Sequence, residues 1–131
     1  FDEIRRSADN EDEIKKLKML TKIPLPASVK INKLSEEVVK RLKSDQDYAV
    51  KITLLSQLML EKEDEMYSNG LYKELAKIIR QGQKEGSVVK GDALYLADLY
   101  WGCVYLNALK MLFVKGYKLV TKDTLNRLLE A

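Results

Sequence analysis

The sequence predicts an all-α fold, an antiparallel bundle of about six helices. Three observations predict it. Apolar residues recur three or four apart through most of the chain, the spacing of one helix face. Proline occurs only at Pro24 and Pro26 and glycine only from Gly70 onward, so long stretches run without a breaker. Alternating strand-like runs joined by hairpin turns are missing, apart from one "SNG" at Ser68 to Gly70.

The first segment, "FDEIRRSADNEDEIKKLKML", places Phe1, Ile4, Ala8, Ile14, Leu17 and Leu20 on a thin face. Its "SADNED" middle is expected to bend or break the helix. "KIPLP" then stops it, because proline lacks the amide donor and restricts the residue before it. A second helix is expected from Ala27 to Lys43, with Ile31, Leu34, Val38 and Leu42 inward. "SDQD" at Ser44 to Asp47 ends it and supplies capping side chains for the next. The third helix, Asp47 to Met66, is apolar around most of its girth, which predicts a central position. The fourth, Gly70 to Glu85, buries Leu71, Leu75, Ile78 and Ile79 and turns Lys73, Lys77 and Arg80 outward. The fifth, Asp92 to Lys115, is the longest and most apolar. "KGY" breaks it at Lys115 to Tyr117, and Thr121 caps a last short helix carrying Leu125, Leu128 and Leu129.

At 131 residues the chain is the size of one domain, residues 1–131, with enough length for a single core. The 23 basic and 20 acidic residues are interleaved, and the balance of +3 does not argue for nucleic-acid binding. Histidine is absent, which removes the commonest general base, the commonest metal ligand and any Ser-His or Cys-His pair. No metal spacing or nucleophile–base pair is visible, so the chain is not expected to be an enzyme and no cofactor is expected. Cys103 sits among apolar neighbours and reads as a small packed hydrophobe in a reducing, cytoplasmic setting.

One stretch invites a sharper reading. In "GQKEGSVVKGDAL", Gly86 and Gly91 stand as far apart as the glycines of a phosphate-cradling loop. Asp92 occupies the position that such a loop gives to lysine, and no strand precedes it. The stretch therefore reads as a helix stop at Gly86, a short turn, and a helix start capped by Asp92.

The fifth helix is long enough to span a bilayer, but Asp98 and Asn107 lie well inside it and its neighbours are ordinary soluble amphipaths. No membrane partner is expected. A helical wheel divides it into two apolar faces. Leu94, Ala97, Asp98, Trp101, Val104, Tyr105, Ala108 and Leu112 form one, and Leu96, Leu99, Cys103, Leu106, Lys110 and Val114 the other. Two apolar faces mean burial on both sides, either within one core or between a core and a second copy of the chain. Dimerisation is the expectation, with the short last helix adding to the patch in a four-helix interface. On the first face Asp98, Trp101 and Tyr105 place a carboxylate beside two aromatic rings. That set suits a pocket for an apolar or cationic small molecule. It equally suits a core Trp and Tyr, with Asp98 bonded to a neighbouring hydroxyl or simply placed near the helix start.

The segment "LAKIIRQGQKEGSVVKGDALYLADLYWGCVYLNAL", Leu75 to Leu109, resembles the C-terminal regulatory domain of TetR/AcrR-family transcriptional regulators. There, too, an amphipathic helix ends in a Gly-Gln-x-x-Gly-like turn ahead of a long dimerisation helix. "FDEI" looks like the start of the helix after the family's DNA-binding unit, and "TKDTLNRLLE" like its last helix. The resemblance implies the effector-sensing, homodimerising half of a bacterial repressor, with DNA bound only through an N-terminal helix-turn-helix that this chain lacks. It implies an effector cavity lined by Leu55, Met59, Ile79, Trp101 and Tyr105, to which Asp98 is added. It also implies dimer contacts at Leu96, Leu99, Cys103, Leu106, Leu125 and Leu129. The alternative is a helical interaction module without a cavity.

Overall fold

The computed structural model describes residues 11–61 and 70–131, less the side chains of residues 11, 12 and 58–61. The helices are α1 Glu11–Lys22, α2 Ala27–Ser44, α3 Gln46–Glu61, α4 Gly70–Glu85, α5 Ala93–Phe113 and α6 Lys122–Arg127. Among the described residues there is no strand, only an isolated antiparallel bridge between Val88 and Glu130. The fold is the all-α bundle that the spacing predicts. The expectations for Phe1, Ile4 and Ala8, and for the far end of the third helix, lie outside the described residues.

The helix ends have local causes. Asp45 follows α2 and its Oδ1 accepts from the Tyr48 amide at 3.3 Å, opening α3. α4 closes in a Schellman turn. Gly86 takes φ +82°, the Ser87 amide donates to Gly82 O at 2.9 Å, and the Gly86 amide donates to Gln83 O at 3.4 Å. Asp92 Oδ1 accepts from the Leu94 amide at 3.0 Å to start α5, and Thr121 Oγ1 accepts from the Thr124 amide at 3.2 Å to start α6. The glycine stretch is thus a stop, a turn and a capped start. Pro26 brings no side-chain cap to α2. The first donor of the helix, the buried Ala27 N–H, is met instead by Glu85 Oε1 of α4 at 2.8 Å.

Among the described residues the central helix is α4 rather than α3. Leu75, Ala76, Ile78 and Ile79 are fully buried, and α4 packs against α1, α2 and α5. α3 packs chiefly against α2 and α5, and its Val50 is left exposed. Over its described part, being apolar on most sides does not make α3 central, because position is decided by how many neighbours an arc can reach. Gly82 lets α4 come close to the chain that follows it. A Cβ there would collide with Val88 and stand 3.2 Å from the Ala27 Cβ.

Polar bonds inside the bundle lock the helices to one another. Tyr100 of α5 and Ser35 of α2 share a buried hydroxyl–hydroxyl bond of 2.8 Å. Arg41 of α2 pairs with Glu13 of α1 at 2.8 Å and lies over the Tyr48 ring of α3 at 4.1 Å. Lys30 is only 2% exposed. Its Nζ donates to Thr21 O and to Gln81 Oε1, each at 2.8 Å. Gln81 Nε2 in turn donates to Leu25 O and Glu85 Oε2, each at 2.8 Å. The "KIPLP" link between α1 and α2 is therefore held by two side chains of α4.

Candidate functional site

α5 carries the residues on which a functional reading depends. Its core face holds Ala93, Leu96, Ala97, Tyr100, Trp101, Val104, Asn107 and Ala108. Its outer face holds Tyr95, Leu99, Leu106 and Phe113, exposed by 55%, 43%, 49% and 77%. Two apolar faces exist, as the wheel predicts, but the dividing plane is turned by roughly 60° from the expected one. Tyr100 and Asn107 cause the difference. Each is polar-tipped, yet each points inward because its tip has a partner. Tyr100 bonds Ser35, Asn107 Nδ2 donates to Cys103 O at 2.8 Å, and Asn107 Oδ1 accepts from the Val120 amide at 3.0 Å.

The turn of that plane reassigns half of the expected dimer contacts. Leu99 and Leu106 are exposed and Cys103 is half-buried. Leu96, Leu125 and Leu129 are instead buried in the chain's own core. α6 packs on α2, and residues 129–131 pair with 87–89 through Val89 N to Leu129 O at 2.8 Å and Ala131 N to Ser87 O at 3.1 Å. The short last helix thus closes this bundle rather than widening an outer patch.

The outer face forms a regular seam. Tyr95, Leu99, Gly102, Leu106, Leu109 and Phe113 follow one another at intervals of four, three, four, three and four. That is the apolar repeat of a coiled-coil helix. Tyr95, Gly102, Leu109 and Phe113 lie outside the face that the wheel assigns to a partner, although their spacing carries the repeat. Gly102 sits in mid-seam with no atom near the position of a Cβ, a gap in the row of side chains.

The expected effector residues lie on the side of α5 that meets α3 and α4. Leu55, Ile79 and Trp101 are buried, while Asp98 and Tyr105 are half-buried. Met59 belongs to α3, and its side chain lies outside the described residues. Asp98 Oδ1 accepts from the Tyr72 hydroxyl at 3.2 Å. Trp101 Nε1 donates to Leu71 O at 3.1 Å, and its ring meets Tyr100 edge-on at 5.2 Å. Asp98 and Trp101 therefore tie α5 to the first turn of α4. Burial pushes the Cys103 thiol above its ordinary pKa, which lowers its thiolate fraction at neutral pH.

Among the described residues hollows lie elsewhere, at two places that none of the expected effector residues lines. A shallow groove of about 260 Å³ runs between α1 and α2, lined by Leu17, Met19, Leu20, Ile23 and Leu34 with Lys16, Lys33 and Glu37 at its edges. A notch of about 50 Å³ lies beneath Ser87 and Val88, beside Ile31, Asn126 and Leu129. Among the described residues no three His, Cys, Asp or Glu side chains converge as metal ligands would, and no helix is long and apolar enough to cross a membrane. No family model, curated protein or solved structure matches the chain.

Proposed function

We propose that this chain is the homodimerising, effector-sensing half of a transcriptional regulator of the TetR/AcrR type, and that α5 is its dimer helix. The observation that carries the proposal is the exposed apolar seam from Tyr95 to Phe113. A helix on the surface of a lone monomer needs one apolar face, and α5 has already spent one on the core. Exposed leucines in a regular row mark a surface that another helix covers.

The seam suits a second copy of itself. Its spacing reads the same from either end. An antiparallel partner aligns Tyr95 with Phe113, Leu99 with Leu109, and Gly102 with Leu106. The leucine then fills the gap above the glycine, twice over by symmetry. Sedimentation of the chain is expected to show a dimer that Leu99→Asp or Leu106→Asp breaks, because either change buries a carboxylate with no partner. A wild-type monomer at high micromolar concentration, or a dimer that survives both changes, overturns the interface.

The sensing part of the reading rests on the row of Asp98, Trp101 and Tyr105 and on the layout that the chain shares with such regulators. Effector binding would have to favour one of two arrangements of the bundle, since only differential affinity shifts an equilibrium. Saturable quenching of Trp101, the single tryptophan, by lipophilic cations or neutral aromatics is the expected result. The second reading is a dimeric interaction module without a cavity. It is favoured by the bonds that already occupy Asp98 and the Trp101 indole. No saturable quenching across the panel, in a chain that still dimerises, selects it.

A further inference from the structure

The net charge of +3 conceals how the signs are sorted among the described residues. Along α4, Lys73, Lys77, Arg80 and Lys84 follow at intervals of four, three and four residues, and all are exposed. They form one stripe roughly 16 Å long at 1.5 Å per residue. Of the two acids of the same helix, one neutralises a stripe residue and the other caps a neighbouring helix. Glu74 is buried, and its Oε2 holds Lys77 Nζ at 2.9 Å. Glu85 ends the helix with Oε1 on the Ala27 amide and Oε2 on Gln81. Among the described residues Lys73, Arg80 and Lys84 belong to no ion pair.

α1 extends this face. It packs along α4, where a Cβ on Gly70 would meet Ile14 Cγ2 at 2.7 Å. Lys18 and Lys22 stand four and eight residues beyond Ile14, on the same flank of α1, and both are exposed.

We infer that the α1–α4 face is a docking surface for the phosphate backbone of a nucleic-acid duplex. A straight row of cations on a rigid helix complements a linear polyanion, in which each strand presents a phosphate about every 3.4 Å of axis. Such contacts hold and orient a duplex without reading its sequence. An anionic membrane is the poorer match. A helix that lies in a membrane surface offers it an apolar face, whereas Leu71, Leu75, Ile78 and Ile79 of α4 are all inside the core. The inference stands apart from the proposed regulator role: it concerns helices other than the one bearing the seam, and it departs from the implied restriction of DNA contact to a helix-turn-helix.

Fluorescence anisotropy of a labelled duplex of about 20 base pairs and arbitrary sequence tests it, with salt raised from about 20 to about 200 mM. Binding is expected to be weak and salt-sensitive, with a log–log slope of roughly −3 to −4 for three or four phosphate contacts. The triple change Lys73→Glu, Arg80→Glu, Lys84→Glu is expected to weaken binding by about tenfold or more and to flatten the slope by about 3. Lys90→Glu, Lys115→Glu, Lys118→Glu alters net charge equally at exposed positions of other segments and is expected to leave most of the binding intact. Should the first triple change unfold the chain by circular dichroism, Lys73→Gln, Arg80→Gln, Lys84→Gln makes the same comparison. No binding at the lowest salt, or equal loss from the two sets, overturns the inference. So does binding to phosphatidylserine vesicles without binding to the duplex.

Discussion

Two single residues have effects opposite to what their types suggest. Glycine inside a helix is ordinarily worth replacing by alanine, which gains up to about 1 kcal/mol. At Gly82 the sign reverses, because the new methyl would occupy space held by Val88 and crowd Ala27. Gly82→Ala is expected to cost about 1–3 kcal/mol, read as a lower midpoint in urea or thermal unfolding. Glu85 is exposed, yet it caps a helix to which it does not belong. The Ala27 amide and then Gln81 hold its carboxyl below the ordinary carboxylate pKa. In that window the unfolded chain binds more protons than the folded one, so stability falls as pH drops through it and is complete above the ordinary value of about 4.3. Glu85→Gln is expected to flatten this part of the acid limb, checked by comparing urea midpoints at about pH 7 and about pH 3 in both proteins. Neither role was legible in the sequence. The collision at Gly82 and the cap at Ala27 both depend on parts of the chain that only the fold brings together.

At the scale of elements, most of the architecture could be read directly. The breaks at Pro24 and Pro26, Gly86, Asp92, Gly116 and Thr121 rest on backbone chemistry that acts within a few residues, and the helix limits follow them. The rotation of α5 was harder to read. Hydropathy ranks Tyr100 and Asn107 below leucine, but a buried polar group is tolerated wherever it finds a partner. Ser35 and the Val120 amide, which supply those partners, are distant in sequence. Once Tyr100 is placed inside, the seam on the far side follows from its spacing alone. Gly102 then separates two effects. Gly102→Ala has open space around it and is expected to stabilise the isolated bundle by about 0.5–1 kcal/mol. In the proposed antiparallel pairing the same methyl would stand beneath Leu106 of a second copy and would weaken the dimer. Unfolding at low concentration and sedimentation at high concentration are expected to move in opposite directions. If both improve, Gly102 does not face Leu106.

For the molecule as a whole, the sequence shows how much charge there is but not where it is displayed. Interleaved signs in the chain become a basic stripe once Glu74 is buried and Glu85 is committed to Ala27. Lys30 makes the same point in reverse. Lysine is almost never fully buried, and nothing near residue 30 announces that Thr21 O and Gln81 await it inside. The expected effector row was legible as a set of neighbours on α5. Its polar tips could not be assigned, because Leu71 and Tyr72 lie on another helix. The bridge between Val88 and Glu130 also bears on the order in which the protein can be built. The connector that sets α5 against α4 leaves the ribosome about 40 residues ahead of the strand-like segment that clamps it, a wait of some seconds at ordinary rates of synthesis. During that interval the nascent α5 lacks the bond from the Val120 amide to Asn107 and shows its exposed apolar seam, and a chaperone has its clearest opportunity there.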